Sequence, residues 1–144
     1  MNQGNRIPGA PIIDHVGIAV NSLPDAIRQW SAILGQPPSG EETVPSEGIR
    51  ATFFGEGSGR IELLAPLTPQ SPIARFLERR GPGIHHVCVR VGDLEDALAA
   101  AEAAGAEAIP PRIRRGAGGA RIAFLHPRSL KGVLLEMRED PERG

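Results

Sequence analysis

Hydrophobic and polar positions alternate along residues 12–20, where β-branched side chains recur at every second place and predict a strand. Beyond it, Asn21 or Ser22 offers a helix N-cap and Pro24 suits a first turn. Leu23, Ala26, Ile27, Trp30 and Ile33 or Leu34 fall at helical spacing, and Gly35 can close the helix. Residues 49–54 and 60–65 predict two more strands across the glycine-rich turn Gly55-Glu56-Gly57-Ser58-Gly59, with a further strand weakly signalled around 40–46. Ser71 caps a short helix that carries Pro72 at its first position and Ile73, Phe76 and Leu77 on one face. The same order then returns. A strand covers 84–91, Asp93 caps an alanine-rich helix ending at Gly105, and strands follow near 107–113, 120–125 and 132–138.

The recurrence extends to residue identity. Asp14-His15-Val16-Gly17-Ile18-Ala19-Val20 aligns with His85-His86-Val87-Cys88-Val89-Arg90-Val91 at an offset of 86 − 15 = 71 residues. At that offset His15/His86, Val16/Val87, Val20/Val91, Leu23/Leu94, Asp25/Asp96 and Ala26/Ala97 are identical, and the match runs from a strand pattern into a helix pattern. The chain therefore reads as two homologous modules, one over about 12–70 and one over about 83–139, within a single domain at 12–144 after an N-terminal tail at 1–11. Strand-helix-strand-strand-strand, twice over, is an α+β plan in which helices cover one side of curled sheets.

Composition narrows the function classes. The 144 residues carry a formal net charge of −1, which leaves no electrostatic footprint for nucleic acid or an anionic membrane surface. No apolar run approaches the ~20 residues of a membrane-spanning helix. The N-terminal stretch lacks the apolar core of a secretory signal. Cys88 is the only cysteine, so no disulfide forms within the chain, and the lone thiol suits a reducing, cytoplasmic setting.

Four ligand-type residues stand out on the expected strands. His15 and His86 occupy matching points of the first strand of each module, and Glu62 and Glu136 lie among apolar residues on the last strands. One histidine on a strand is most often an ordinary packed residue, and one glutamate on a half-buried strand usually faces solvent. Two of each, in the same order in two modules, favour a metal site. A buried carboxylate among leucines costs several kcal/mol unless something compensates it, and imidazoles with carboxylates suit a borderline divalent ion. His85 points to the face opposite His86 and is read as a non-ligand. Cys88 shares His86's face and is read as packing, and His126 ends a strand with structural and substrate-contacting roles both open. Arg112, Arg114 and Arg115 before Gly116-Ala117-Gly118-Gly119, with Lys131 further on, form a basic cluster that suits a phosphate or a solvated loop.

These segments, with Phe124-Leu125-His126-Pro127, Lys131-Gly132-Val133-Leu134-Leu135-Glu136 and Glu62-Leu63-Leu64-Ala65-Pro66-Leu67, resemble methylmalonyl-CoA epimerase, a family of the vicinal oxygen chelate superfamily, from about Ile12 to Glu139. The resemblance implies two tandem βαβββ modules forming a cupped mixed sheet around a divalent ion, cobalt first, with nickel, manganese, zinc or magnesium as alternatives, and a homodimer. His15, His86 and Glu136 would be ligands, with Glu62 a further ligand or near-ligand. Some members carry a glutamate proposed as a base after the Gly48-Ile49 pair, where this chain has Ala51.

The implied reaction interconverts (R)- and (S)-methylmalonyl-CoA by α-proton abstraction through a metal-stabilised enolate. Inversion needs an acid/base group on each face. Glu62 and Glu136 are the candidate pair, with Glu47 in reserve, and Arg115, Lys131 and His126 are the candidate substrate contacts. The alternatives are a lactoylglutathione lyase of the glyoxalase I type, an extradiol dioxygenase, or a non-catalytic protein of the same fold that sequesters a ligand. Retention of all four ligand-type residues and an aromatic content of 3% with no Tyr speak against the last of these.

Overall fold

Hydrogen-bonded caps set the frame of the chain. In the computed structural model, which describes residues 11–140, the Ser22 side chain accepts from the backbone N–H of Asp25, and the Asp93 carboxylate accepts from that of Asp96. Each cap opens a helix immediately after a strand, and the two caps are 93 − 22 = 71 residues apart. The order is β1 (Ile13–Ala19), α1 (Leu23–Leu34), β2 (Glu42–Val44), β3 (Ile49–Phe54), β4 (Arg60–Pro66), α2 (Pro72–Arg80), β5 (Gly83–Val91), α3 (Leu94–Ala103), β6 (Arg114–Arg115), β7 (Arg121–Leu125) and β8 (Leu135–Glu139), with short 3-10 turns between. The class is α+β, as the alternating patterns require. The tail expected over 1–11 lies, apart from Pro11, outside the described residues.

The chain forms two compact units: His15–His85, and a second comprising the residues from His86 on together with those up to Asp14. In the first unit the strands run β2-β3-β4-β1, antiparallel until β4 meets β1 in parallel. One face of this sheet packs on α1 through Val20, Leu23, Ala26, Phe54, Leu63 and Ala65. The other face carries α2, whose Ile73 sits on Ala19, Ala51 and Leu64. At the β2–β3 corner, Gly48 has φ +69° and its missing Cβ would lie 3.2 Å from Ser71 Oγ, so any side chain there would be strained and crowd the cap of α2.

In the second unit the order is β5-β8-β7-β6, again one parallel contact followed by antiparallel ones. Its core joins Val91, Leu94, Leu98, Ala123, Leu125 and Met137. Replacing Leu98 by Ala would cost about 2–5 kcal/mol.

Three expectations shift. The strand foreseen at 107–113 is only a single bridge at Ala108, and β6 starts at Arg114, because Pro110 and Pro111 bring no N–H to a ladder. The last strand begins at Leu135 rather than near 132, since Lys131 and Gly132 both adopt positive φ in the preceding turn. The apolar stripe of α1 ends at Trp30, and Ile33 and Leu34 are exposed.

Candidate active site

Parallel pairing of the first and last strands within each unit places a glutamate beside a histidine. In the first unit Gly17 is opposite Glu62, which brings Glu62 Oε1 within 3.3 Å of His15 Nε2. In the second, Cys88 is opposite Glu136, and His86 Nε2 lies 3.1 Å from Glu136 Oε1. All four residues are buried, at 3% exposure for His15 and Glu62 and 6% for His86 and Glu136. Each pair has its imidazole nitrogen turned onto a carboxylate oxygen in a setting nearly free of water.

A phenylalanine completes each pair. Phe53 on β3 is opposite Glu62 and meets the His15 ring edge-on at 5.3 Å, and Phe124 on β7 is opposite Glu136 and meets His86 edge-on at 5.9 Å. The Arg60 guanidinium stacks over Phe53 at 4.1 Å, and that of Arg114 over Phe124 at 5.4 Å. These phenylalanines escaped the sequence reading, although 124 − 53 = 71 is the same offset that relates the histidines. The glutamates differ by 136 − 62 = 74, because the β7–β8 connection is longer than the β3–β4 turn while the Phe–Glu register stays the same.

The spacing within each pair suits a shared ion. Two donors each about 2.1 Å from one metal, at an angle between right and tetrahedral, stand about 3.0–3.4 Å apart. Both observed distances fall in that range, and imidazole nitrogen with carboxylate oxygen is a set that borderline divalent ions accept.

The remaining candidates have specific surroundings. His85 meets Phe76 of α2 edge-on at 4.9 Å. His126 caps the 3-10 turn Pro127–Leu130, its Nδ1 accepting from the Arg128 N–H at 3.1 Å, and Lys131 ends that turn. Arg115 pairs with Arg121 at the start of β7, whereas His126 follows its end, a separation of about 17 Å along a strand. The three proposed substrate contacts therefore do not form one cluster. The basic run is also divided: Arg112 forks onto Glu102, Arg114 donates to the carbonyls of Ile109 and Pro110, and Arg115 donates to Gly119 O. The hydrogen bond from Arg112 holds the Glu102 carboxyl below the usual carboxylate range. Glu47 ends the 3-10 turn after β2, and Ala51 is fully buried beside Leu64, in a place that would accept a carboxylate only at heavy desolvation cost.

A cluster the sequence reading missed lies in the second unit. Asp14, with no exposed surface, takes the Arg90 Nε at 2.8 Å and the Arg138 guanidinium at 3.7 Å. Arg90 and Arg138 are opposite each other on β5 and β8, on the same strand faces as His86 and Glu136. The Asp14/His85 mismatch within the repeat was the available signal.

Paired imidazoles and carboxylates on twin strand–helix units define a vicinal oxygen chelate architecture, and the chain belongs to the Glyoxalase/Bleomycin resistance protein/Dioxygenase superfamily, whose family model matches residues 14–124. Within that superfamily the similarity is to epimerases of acyl-CoA esters. An ethylmalonyl-CoA/methylmalonyl-CoA epimerase of Cereibacter sphaeroides is 37% identical over 88% of this chain and 96% of its own. The crystal structure of methylmalonyl-CoA epimerase from Mycobacterium tuberculosis is 38% identical and superposes with a TM-score of 0.84, covering 91% of this chain and 89% of that one. A Streptomyces coelicolor methylmalonyl-CoA epimerase variant in complex with 2-nitronate-propionyl-CoA is 29% identical, with a TM-score of 0.84 and coverages of 90% and 94%.

Proposed function

We propose that the protein is an epimerase of methylmalonyl-CoA that removes and returns the proton on the carbon between thioester and carboxylate. The observation that carries this reading is the buried His–Glu–Phe arrangement built twice in one register, in a chain whose relatives are named for this reaction. His15, His86 and Glu136, with Glu62, would hold one divalent ion, cobalt first. When bound, the ion supplies Lewis-acid stabilisation of the negative charge that develops on the substrate oxygens.

The chain's own residues supply the rest. Glu62 and Glu136 are the proton-transfer groups: one, as the carboxylate, takes the α-proton, and the other, entering as the carboxylic acid, delivers its own proton to the opposite face. Phe53 and Phe124 pack edge-on against the two imidazoles and help to hold their planes beside the carboxylates. Arg115, Lys131 and His126 remain proposed contacts of the CoA portion, reached separately rather than as one cluster. A single domain of two modules, a homodimer and a cytoplasmic location complete the reading. Among the described residues no helix is long and apolar enough to cross a membrane.

The test is α-proton exchange. Metal-loaded protein incubated with methylmalonyl-CoA in D₂O should incorporate deuterium at the α-carbon, while methylglyoxal with glutathione should give no lactoylglutathione. No exchange with cobalt, nickel, manganese or zinc would overturn the assignment.

A further inference from the structure

Beyond Glu136 the site face of the second unit carries two cations. Alternation along β5 and β8 sets Arg90 after His86 and Cys88, and Arg138 after Glu136, with the two arginines opposite each other. Asp14 accepts from Arg90 Nε at 2.8 Å but stands 3.7 Å from Arg138, past hydrogen-bonding range. Among the described residues Arg138 donates no hydrogen bond, although its Nε is buried, and 18% of its side chain stays open to solvent. A guanidinium carries several N–H donors, and a buried donor without an acceptor is costly enough to call for a partner.

The surroundings of Arg138 suit a small anion. On β7 Ile122 is opposite Arg138, and the glycine turn before β7 folds back over both. A Cβ on Gly116 would fall 2.6 Å from Ile122 Cδ1, and one on Gly118 would lie 4.0 Å from Arg138 Nη2. Glycine there, with φ +69° at Gly118, lets bare backbone come near the guanidinium. The matching row of the first unit is apolar: Ala19 and Leu64 are opposite each other, and Ile73 of α2 packs on them. The cations thus flank one glutamate of the pair and not the other.

We propose that Arg138, with Arg90 beside it, binds the free carboxylate of the acyl-CoA substrate and so selects esters that carry one. The proposal deepens the epimerase reading and rests on it. Glu136 and Arg138 stand two residues apart on one strand face, about 7 Å along β8. The carboxylate is bonded directly to the carbon whose proton Glu136 handles, and an arginine side chain spans the remaining distance. A planar guanidinium fork matches the two oxygens of a carboxylate. One Asp14 carboxylate faces two guanidiniums, so an incoming anion completes the charge balance of the trio.

The experiment compares methylmalonyl-CoA with propionyl-CoA, which has the same thioester and CoA phosphates but no free carboxylate. Binding of each ester to the metal-loaded protein is measured by calorimetry. Arg138→Met is expected to weaken methylmalonyl-CoA about 10–100-fold and to leave propionyl-CoA unchanged. Arg138→Lys, which keeps the charge and loses the fork, is expected to show the same selective loss at smaller size. Equal weakening of both esters would mean that the anion is a CoA phosphate, and overturns the proposal. Unchanged binding of both would leave Arg138 a structural partner of Asp14 alone, and overturns it as well. If circular dichroism shows that Arg138→Met does not fold, Arg138→Lys decides between the same outcomes. Absence of deuterium exchange by the unsubstituted protein overturns the underlying epimerase reading, an outcome read separately from the selectivity of binding.

Discussion

The unit built on β1 and β4 and the unit built on β5 and β8 carry the same imidazole, carboxylate and phenyl ring in the same strand register, yet their surroundings diverge. Beyond His15 and Glu62 the surface is Gly17, Ala19, Leu64 and Ala51. Beyond His86 and Glu136 it is Cys88, Arg90 and Arg138, with the two arginines anchored on Asp14. What both units keep is the part that needs fixed donors. What differs is the lining beside that part, small and apolar in one unit and cysteine followed by arginines in the other. A reaction that inverts a centre needs an acid/base group for each face, and a duplicated unit supplies two such groups in matching local settings.

Several substitutions can break this equivalence. The largest effect is expected from the histidines. His15→Ala and His86→Ala should each reduce exchange by at least about 10³-fold and release bound cobalt, measured by metal content after gel filtration. Retained cobalt and full activity in either variant would remove that unit from the metal site. Next, Glu62→Gln and Glu136→Gln should each lower kcat by about 10²–10⁴-fold. With enantiopure substrate in single-turnover exchange, each variant should spare one epimer, and a different one. Loss of the same epimer in both would show that the two glutamates do not divide the faces between them.

Asp14→Asn sharpens the contrast on the cationic side. It removes the charge that Arg90 and Arg138 share in a fully buried position, and urea unfolding should show a loss of about 3 kcal/mol. The smallest effect lies at the surface. Glu102 has a folded pKa held below its ordinary value of 4.5 by Arg112, so the stability it contributes is present above that value and is lost as pH falls through the folded pKa. Arg112→Ala should therefore slightly flatten the decline of unfolding stability between about pH 5 and pH 3, read from denaturant midpoints.

How much was legible in the sequence follows from which interactions are local. Ser22, Asp93 and Ser71 announce their helices because a cap satisfies N–H groups two or three residues away. The histidines and glutamates were legible through repetition. Phe53 and Phe124 were not, because a phenylalanine on a strand carries no signal until strand register sets it against a particular histidine. The strand expected at 107–113 failed for a local reason, two adjacent prolines that the alternation of apolar residues masked. The Asp14 cluster was hidden because its partners lie 76 and 124 residues along the chain, and nothing in a periodic pattern reports such a pairing.

That last separation has a consequence for how the chain assembles. Asp14 precedes the whole His15–His85 unit along the chain, yet the unit it completes is made almost entirely of residues from His86 onward. Its ion pair with Arg90 and the backbone bond from Arg90 N–H to Ile12 O close a long loop, and the entropy of that closure must be met before the contacts repay it. The His15–His85 unit draws on one continuous segment and is expected to nucleate first. Ile12 and Asp14 would then wait, as the last contacts to form, for the strands that carry Arg90 and Arg138.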